Sequence, residues 1–160
     1  MIILAIDPAN VQSAYVLVTD KFEIIDKGKV DNQEMLEIIK RNEYDHLAIE
    51  IIANMGAFAG ATLFETAEMI GMITLTNSFN GKPITRVKRT DVKKHFKTVT
   101  RRKGAKVPNS DSQIRSKLIE RFGEVGTKRN QGYFYGFKSD IWQAFALSTY
   151  WIDTKLKGEL

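Results

Sequence analysis

Three carboxylates, Asp7, Glu50 and Asp140, stand where a chain could turn them to chemistry. Asp7 closes the apolar run Ile2-Ile3-Leu4-Ala5-Ile6, and Glu50 closes His46-Leu47-Ala48-Ile49. Runs of this kind read as strands covered on both faces, so each acid is delivered at a strand's C-terminal end. Asp140 falls in the first turn of the last apolar-periodic segment. If the two strands lie side by side in parallel, Asp7 and Glu50 emerge at one edge of the sheet, where an acid opening a packed helix can meet them. Converging carboxylates repel, and a divalent cation stabilises such a cluster. Each acid also has an ordinary alternative: a turn at Asp7-Pro8, an ion pair at Glu50, a helix cap at Asp140. At Glu50 an unpaired buried carboxylate would cost roughly several kcal/mol, which favours a metal ligand.

The rest of the composition narrows the choice. There is no cysteine, and His46 and His95 are the only histidines. That excludes thiol nucleophiles, disulfides and zinc-thiolate sites, and leaves hard oxygen ligands, which prefer Mg²⁺ or Mn²⁺. Two such ions can activate water and stabilise the leaving oxygen in phosphodiester cleavage.

Net charge is +5, but it is unevenly spread. The stretch 82–106 holds eleven basic residues and one acid, about +10 net, which leaves the remainder near −5. Arg86, Lys88, Arg89, Lys93, Lys94, Lys97, Arg101, Arg102, Lys103 and Lys106 are its candidate phosphate contacts. Such density costs self-repulsion unless a polyanion relieves it, and binding of that kind weakens steeply with salt.

The elements that must position these groups follow from pattern. Strands are expected at 2–6, 13–19, 22–30, 46–50 and 83–87, with a tight hairpin at Asp20-Lys21. Helices are expected from Asp31 or Asn32 to Arg41, over 57–77, from about Thr90, from a cap at Ser110 or Asp111, and over 138–154. Residues 101–108 and 123–136 read as loops. Tyr133-Phe134-Tyr135 has two readings there: bases stack on it, or it docks on the protein's own core. Trp142, Phe145 and Trp151 read as core or dimer surface, and His95 as a phosphate neighbour or surface residue. A length of 160 residues suits a single α/β domain spanning 1–160, with a mixed five-stranded sheet whose first three strands run antiparallel, flanked by helices. No apolar run is long enough to span a bilayer and no export leader is recognisable, so a cytoplasmic protein without membrane contact is expected.

Several segments, in this order, resemble one family. Ile6-Asp7-Pro8-Ala9-Asn10 with Ala14-Tyr15-Val16 is similar to the opening "IDPG…GY" of RuvC-type Holliday junction resolvases, members of the ribonuclease H-like superfamily. Leu47-Ala48-Ile49-Glu50 resembles that family's "AIE" strand. Val87-Lys88-Arg89-Thr90-Asp91 resembles its strand-to-helix passage, and Asp140-Ile141-Trp142-Gln143-Ala144 its terminal "DxxDA" helix. The small size suggests a bacteriophage member, acting in a bacterial host cell.

The resemblance implies a homodimer that binds four-way junctions or related branched DNA and nicks it with Mg²⁺. Asp7, Glu50 and Asp140 would be metal ligands, Gln143 would occupy the fourth ligand position, and Lys88 would lie near the scissile phosphate. Gln143 departs from the family's acid; a neutral amide coordinates more weakly and cannot act as a base, so either three acids suffice, or Glu65 or Glu68 contributes, or this copy is impaired. The family's stacking aromatic is matched by Ala53, with Phe58 nearby, and one of its lysines by Asp111. Two alternatives follow: a branched-DNA-binding protein impaired in catalysis, and a ribonuclease H-like nuclease acting on other structured nucleic acid.

Overall fold

The computed structural model describes residues 1–52, 60–99, 107–156 and 158. Ala53, Met55 and Phe58, and the basic residues Arg101, Arg102, Lys103 and Lys106, lie outside them.

Five strands form one sheet in the order β3-β2-β1-β4-β5. β1 (Ile2–Asp7) and β4 (His46–Ile51) are parallel neighbours at its centre, as their continuous apolar runs predict. β2 (Gln12–Thr19) pairs antiparallel with β1, and β3 (Ile24–Asp31) antiparallel with β2. β5 (Ile84–Lys88) joins β4 in parallel.

The hairpin between β2 and β3 is longer than expected. Phe22 takes a left-handed backbone (φ 64°), and the amides of Lys21 and Glu23 both donate to the Thr19 hydroxyl. Phe22 therefore belongs to the turn. Its ring packs 4.9 Å from that of Phe122, and its carbonyl accepts the Tyr133 hydroxyl.

Helices cover both faces. α1 (Asn32–Lys40) and α2 (Ala61–Phe79) pack over Leu4, Ile6, Leu47 and Ile49. The other face, with Ile3, Ala5, Ala14, Val16 and Ala48, is covered mainly by α5 (Ile141–Leu156), flanked by α3 (Arg89–His95) and α4 (Ser110–Phe122). Among the described residues no helix is long and apolar enough to cross a membrane.

Two helix starts differ from expectation, α4 by one residue at its cap and α5 by three, and both differences matter for the cleft. Asn109 caps α4, its side chain accepting from the Ser112 amide at 2.9 Å, because Asn serves that role as well as Ser or Asp. That leaves Asp111 free for other partners. Asp140 stands just before α5, its carbonyl accepting from the Gln143 and Ala144 amides after Ser139 takes a φ of 42°.

The aromatic loop settles on the protein itself. Phe134 is fully buried against Phe122, Phe137, Trp142 and Phe145, and Tyr133 stacks on Phe122, so base stacking by these two rings is overturned. Gly132 permits the fold-back, since a Cβ there would meet the Glu124 carbonyl at 2.0 Å. Trp142, Phe145 and Trp151 are core. His95 is half-buried: its Nε2 lies 2.9 Å from Asp153, which also takes both guanidinium nitrogens of Arg121.

Candidate active site

Strand register builds the centre of the site. Asp7 pairs with Ala14, and Ala14 with Lys29. On the other side Ile6 pairs with Ile49, so Asp7 lies beside Glu50, and Glu50 pairs with Val87. Lys29, Ala14, Asp7, Glu50 and Val87 therefore form one transverse row across all five strands. Side chains in such a row share a face, here the one under α5, where Ala14 and Val87 are core. The start of α5 overhangs the row with Asp140 and Gln143, and the first turn of α4 adds Asp111.

The two strand-end acids are strained electrostatically. Burial pushes the Asp7 carboxyl up to about 7, helped by the negative charges of Glu50 and Asp140 and opposed by Arg89. Burial also raises Glu50, against the pull of Arg89 and Lys93. These acids need a positive partner, and a cleft of about 270 Å³ opens beside them, lined by Asp7, Pro8, Glu50, Ile51, Ile52, Arg89, Thr90 and Lys93.

One of the protein's own cations meets that need at Glu50, and a second balances Asp140 above them. Arg89 donates from Nη1 to Glu50 at 3.3 Å and from Nη2 to both Asp111 and the Gln143 amide oxygen. Its side chain is 20% exposed. Lys29 holds Asp140 at 2.6 Å. Among the described residues, no three acidic or histidine side chains converge closely enough to hold a metal ion. Asp7 and Glu50, oxygen donors side by side in a partly desolvated cleft, do suit one hard cation, since Mg²⁺ is commonly held by one or two protein carboxylates and completed by water or phosphate.

The remaining candidates fall into groups. Lys88 and Arg86 are exposed and lie on the opposite face, because they pair with Ile51 and Ile49, whose side chains belong to the α1–α2 side. Lys93 lines the cleft. Lys94 and Lys97 are exposed along and just beyond α3. Glu65 accepts from Asn10 at 3.0 Å and, with Glu68, lines a separate cavity against α1.

Sequence reasoning placed Arg89 only among phosphate contacts and passed over Lys29. A tight turn at Asp20-Lys21 would have set Lys27 opposite Ala14; the longer turn and the irregularity at Leu17/Val18 set Lys29 there instead. Strand parity, applied to Val87-Lys88, was the available signal that Lys88 and Glu50 face opposite ways.

No family model matches the chain, and no curated protein matches its sequence. Its fold is nonetheless shared with solved structures. RuvC of T. thermophilus in complex with Holliday junction substrate aligns with a TM-score of 0.68 at 14% identity, covering 99% of this chain and 97% of that one. A further Thermus thermophilus RuvC structure gives 0.67 at 14% identity over 99% and 98%. Fowlpox virus resolvase in complex with its substrate Holliday junction DNA gives 0.64 at 16% identity over 98% and 99%. The fold is the ribonuclease H-like α/β fold of RuvC, as expected.

Proposed function

We propose that this chain is a single-domain, divalent-metal-dependent endonuclease that nicks branched DNA such as four-way junctions. One observation carries the reading. Asp7 and Glu50 stand together at the ends of adjacent parallel strands, overhung by Asp140 and Gln143, in a fold that aligns from end to end with junction-bound resolvases. Asp7 and Glu50 would hold the ion, with Asp140 near enough to act on Asp7 electrostatically. The ion, when bound, would supply Lewis-acid stabilisation of charge on the phosphate and a lowered pKa for the attacking water.

The protein's own residues do the rest. Lys93 lines the cleft beside Glu50, and Lys94 and Lys97 continue the positive charge along and just beyond α3, so phosphates on either side of the scissile bond would be gripped. Lys88 and Arg86, on the opposite face, suit a neighbouring duplex arm better than the scissile phosphate. Partnership with a second copy is supported by α2, where Phe64, Met72, Leu75 and Phe79 are exposed along one side of the helix. An apolar stripe of that extent marks an interaction surface, and a two-fold pair would cover it with itself.

The test is a synthetic four-way junction incubated with the protein and Mg²⁺ or Mn²⁺. Paired, symmetric nicks bearing 5′-phosphates are expected, and Asp7→Asn should abolish them. Tight binding without nicking in either metal would instead establish the impaired binding protein that Gln143 suggests. Nicking of RNA or simple flaps in preference to junctions would favour the broader ribonuclease H-like alternative.

A further inference from the structure

The acid count and the conformation of the cleft disagree on one point. Acids at strand ends led to an expectation of two divalent ions, yet the space bounded by Glu50, Asp111 and Gln143 already contains a cation. Arg89 reaches it from the β5–α3 junction and bonds to side chains of three different elements: Glu50 on β4, Asp111 on α4 and Gln143 on α5. A guanidinium gripped in this way is fixed by its donor fork, and it stays charged at any working pH.

Gln143 makes sense in that setting. An acid at 143 would add a charge and suit a dication, whereas an amide oxygen accepts one guanidinium N–H and adds none. A dication placed within contact distance of the fixed guanidinium would be repelled strongly in this partly buried site. Arg89 takes Glu50 through Oε2 only, so the edge of the cleft shared by Glu50 and Asp7 is still open to an ion.

We infer that the Arg89 guanidinium is the site's built-in second cation, taking the place of one of two divalent ions, so that each chain binds a single divalent ion at Asp7 and Glu50. The inference rests on the metal-dependent nuclease reading above. The positive charge on the Glu50 side of the cleft is then supplied by the chain itself, at a position fixed before DNA arrives.

Titration calorimetry of the full chain with Mn²⁺ tests this directly. One ion per chain is expected, lost in Asp7→Asn, and the double variant Arg89→Gln/Gln143→Asp should take up two. Two ions in the unaltered protein, or one in the double variant, would overturn the inference. Should the double variant not fold, the Mg²⁺ dependence of junction nicking decides. A first-order approach to saturation supports a single ion, and a second-order one overturns it. Two ions with intact nicking would leave the nuclease reading standing and remove only the role of Arg89. No ion and no nicking would remove both.

Discussion

Asp7→Asn should do more than stop cleavage: it should make the metal-free protein more stable. The Asp7 carboxyl sits at about 7 in the folded protein against an ordinary 3.8, because burial and the charges of Glu50 and Asp140 disfavour its ionised form. A raised folded value means that the contribution of Asp7 to stability is fully present below about 3.8 and is lost as the pH rises through about 7. A gap of about three pKa units corresponds to roughly 4 kcal/mol at pH 8, the most that a neutral side chain could recover. The recovery should shrink to about 0.5 kcal/mol near pH 4, where the folded carboxyl is protonated and the unfolded one is only about half ionised. For a chain of this length, 4 kcal/mol is a rise in Tm of roughly 10 °C. Thermal unfolding of both proteins between pH 4 and 8 in EDTA reads this out, and excess Mg²⁺ should narrow the gap by stabilising the unaltered protein alone. Equal Tm values at pH 8, or a difference that does not change with pH, would refute the electrostatic account of the cleft.

Other outcomes follow from the packing and charge. Phe134→Ala removes a fully buried ring from the aromatic cluster and should cost about 3–5 kcal/mol, measured by urea unfolding, without altering the salt dependence of DNA binding. Leu75→Glu, in the middle of the exposed α2 stripe, should leave the Tm of the fold nearly unchanged and shift sedimentation from dimer to monomer. Burial, with a smaller push from Lys155, lowers His46 to about 4, so it contributes stability above about 6.5 that is lost as the pH falls towards 4. Because Asp7 acts in the opposite sense over that range, the loss should be clearest in Asp7→Asn, and His46→Gln in that background should remove it.

How much could be read without coordinates varies with the range of the interaction. β1 and β4 were legible because runs such as Leu4-Ala5-Ile6 and Leu47-Ala48-Ile49 admit little besides buried parallel strands, and their terminal acids came with them. The start of α4 slipped by one residue because the neighbours Asn109-Ser110-Asp111 have similar capping chemistry. The Arg89 network was not legible, since its partners lie 39, 22 and 54 positions away and depend on how α4 and α5 settle over the sheet. Lys88 drew attention through its family position, but alternation along β5 turns it to the other face. The Tyr133-Phe134-Tyr135 loop admitted two readings because glycine-framed aromatics suit either a ligand or a core, and only the packing of Phe122 and Trp142 around Phe134 distinguishes them.

The turn at 20–23 lies at the far end of its hairpin from the cleft, yet it determines which residue of β3 stands level with Asp7. Sliding β3 by one position would bring Gly28 or Val30 opposite Ala14 and leave Asp140 without its lysine. The charge balance of the cleft is thus written partly in the length of a surface connection. Insertions and deletions there act as a remote adjustment, able to retune the acids while every residue that touches them is kept.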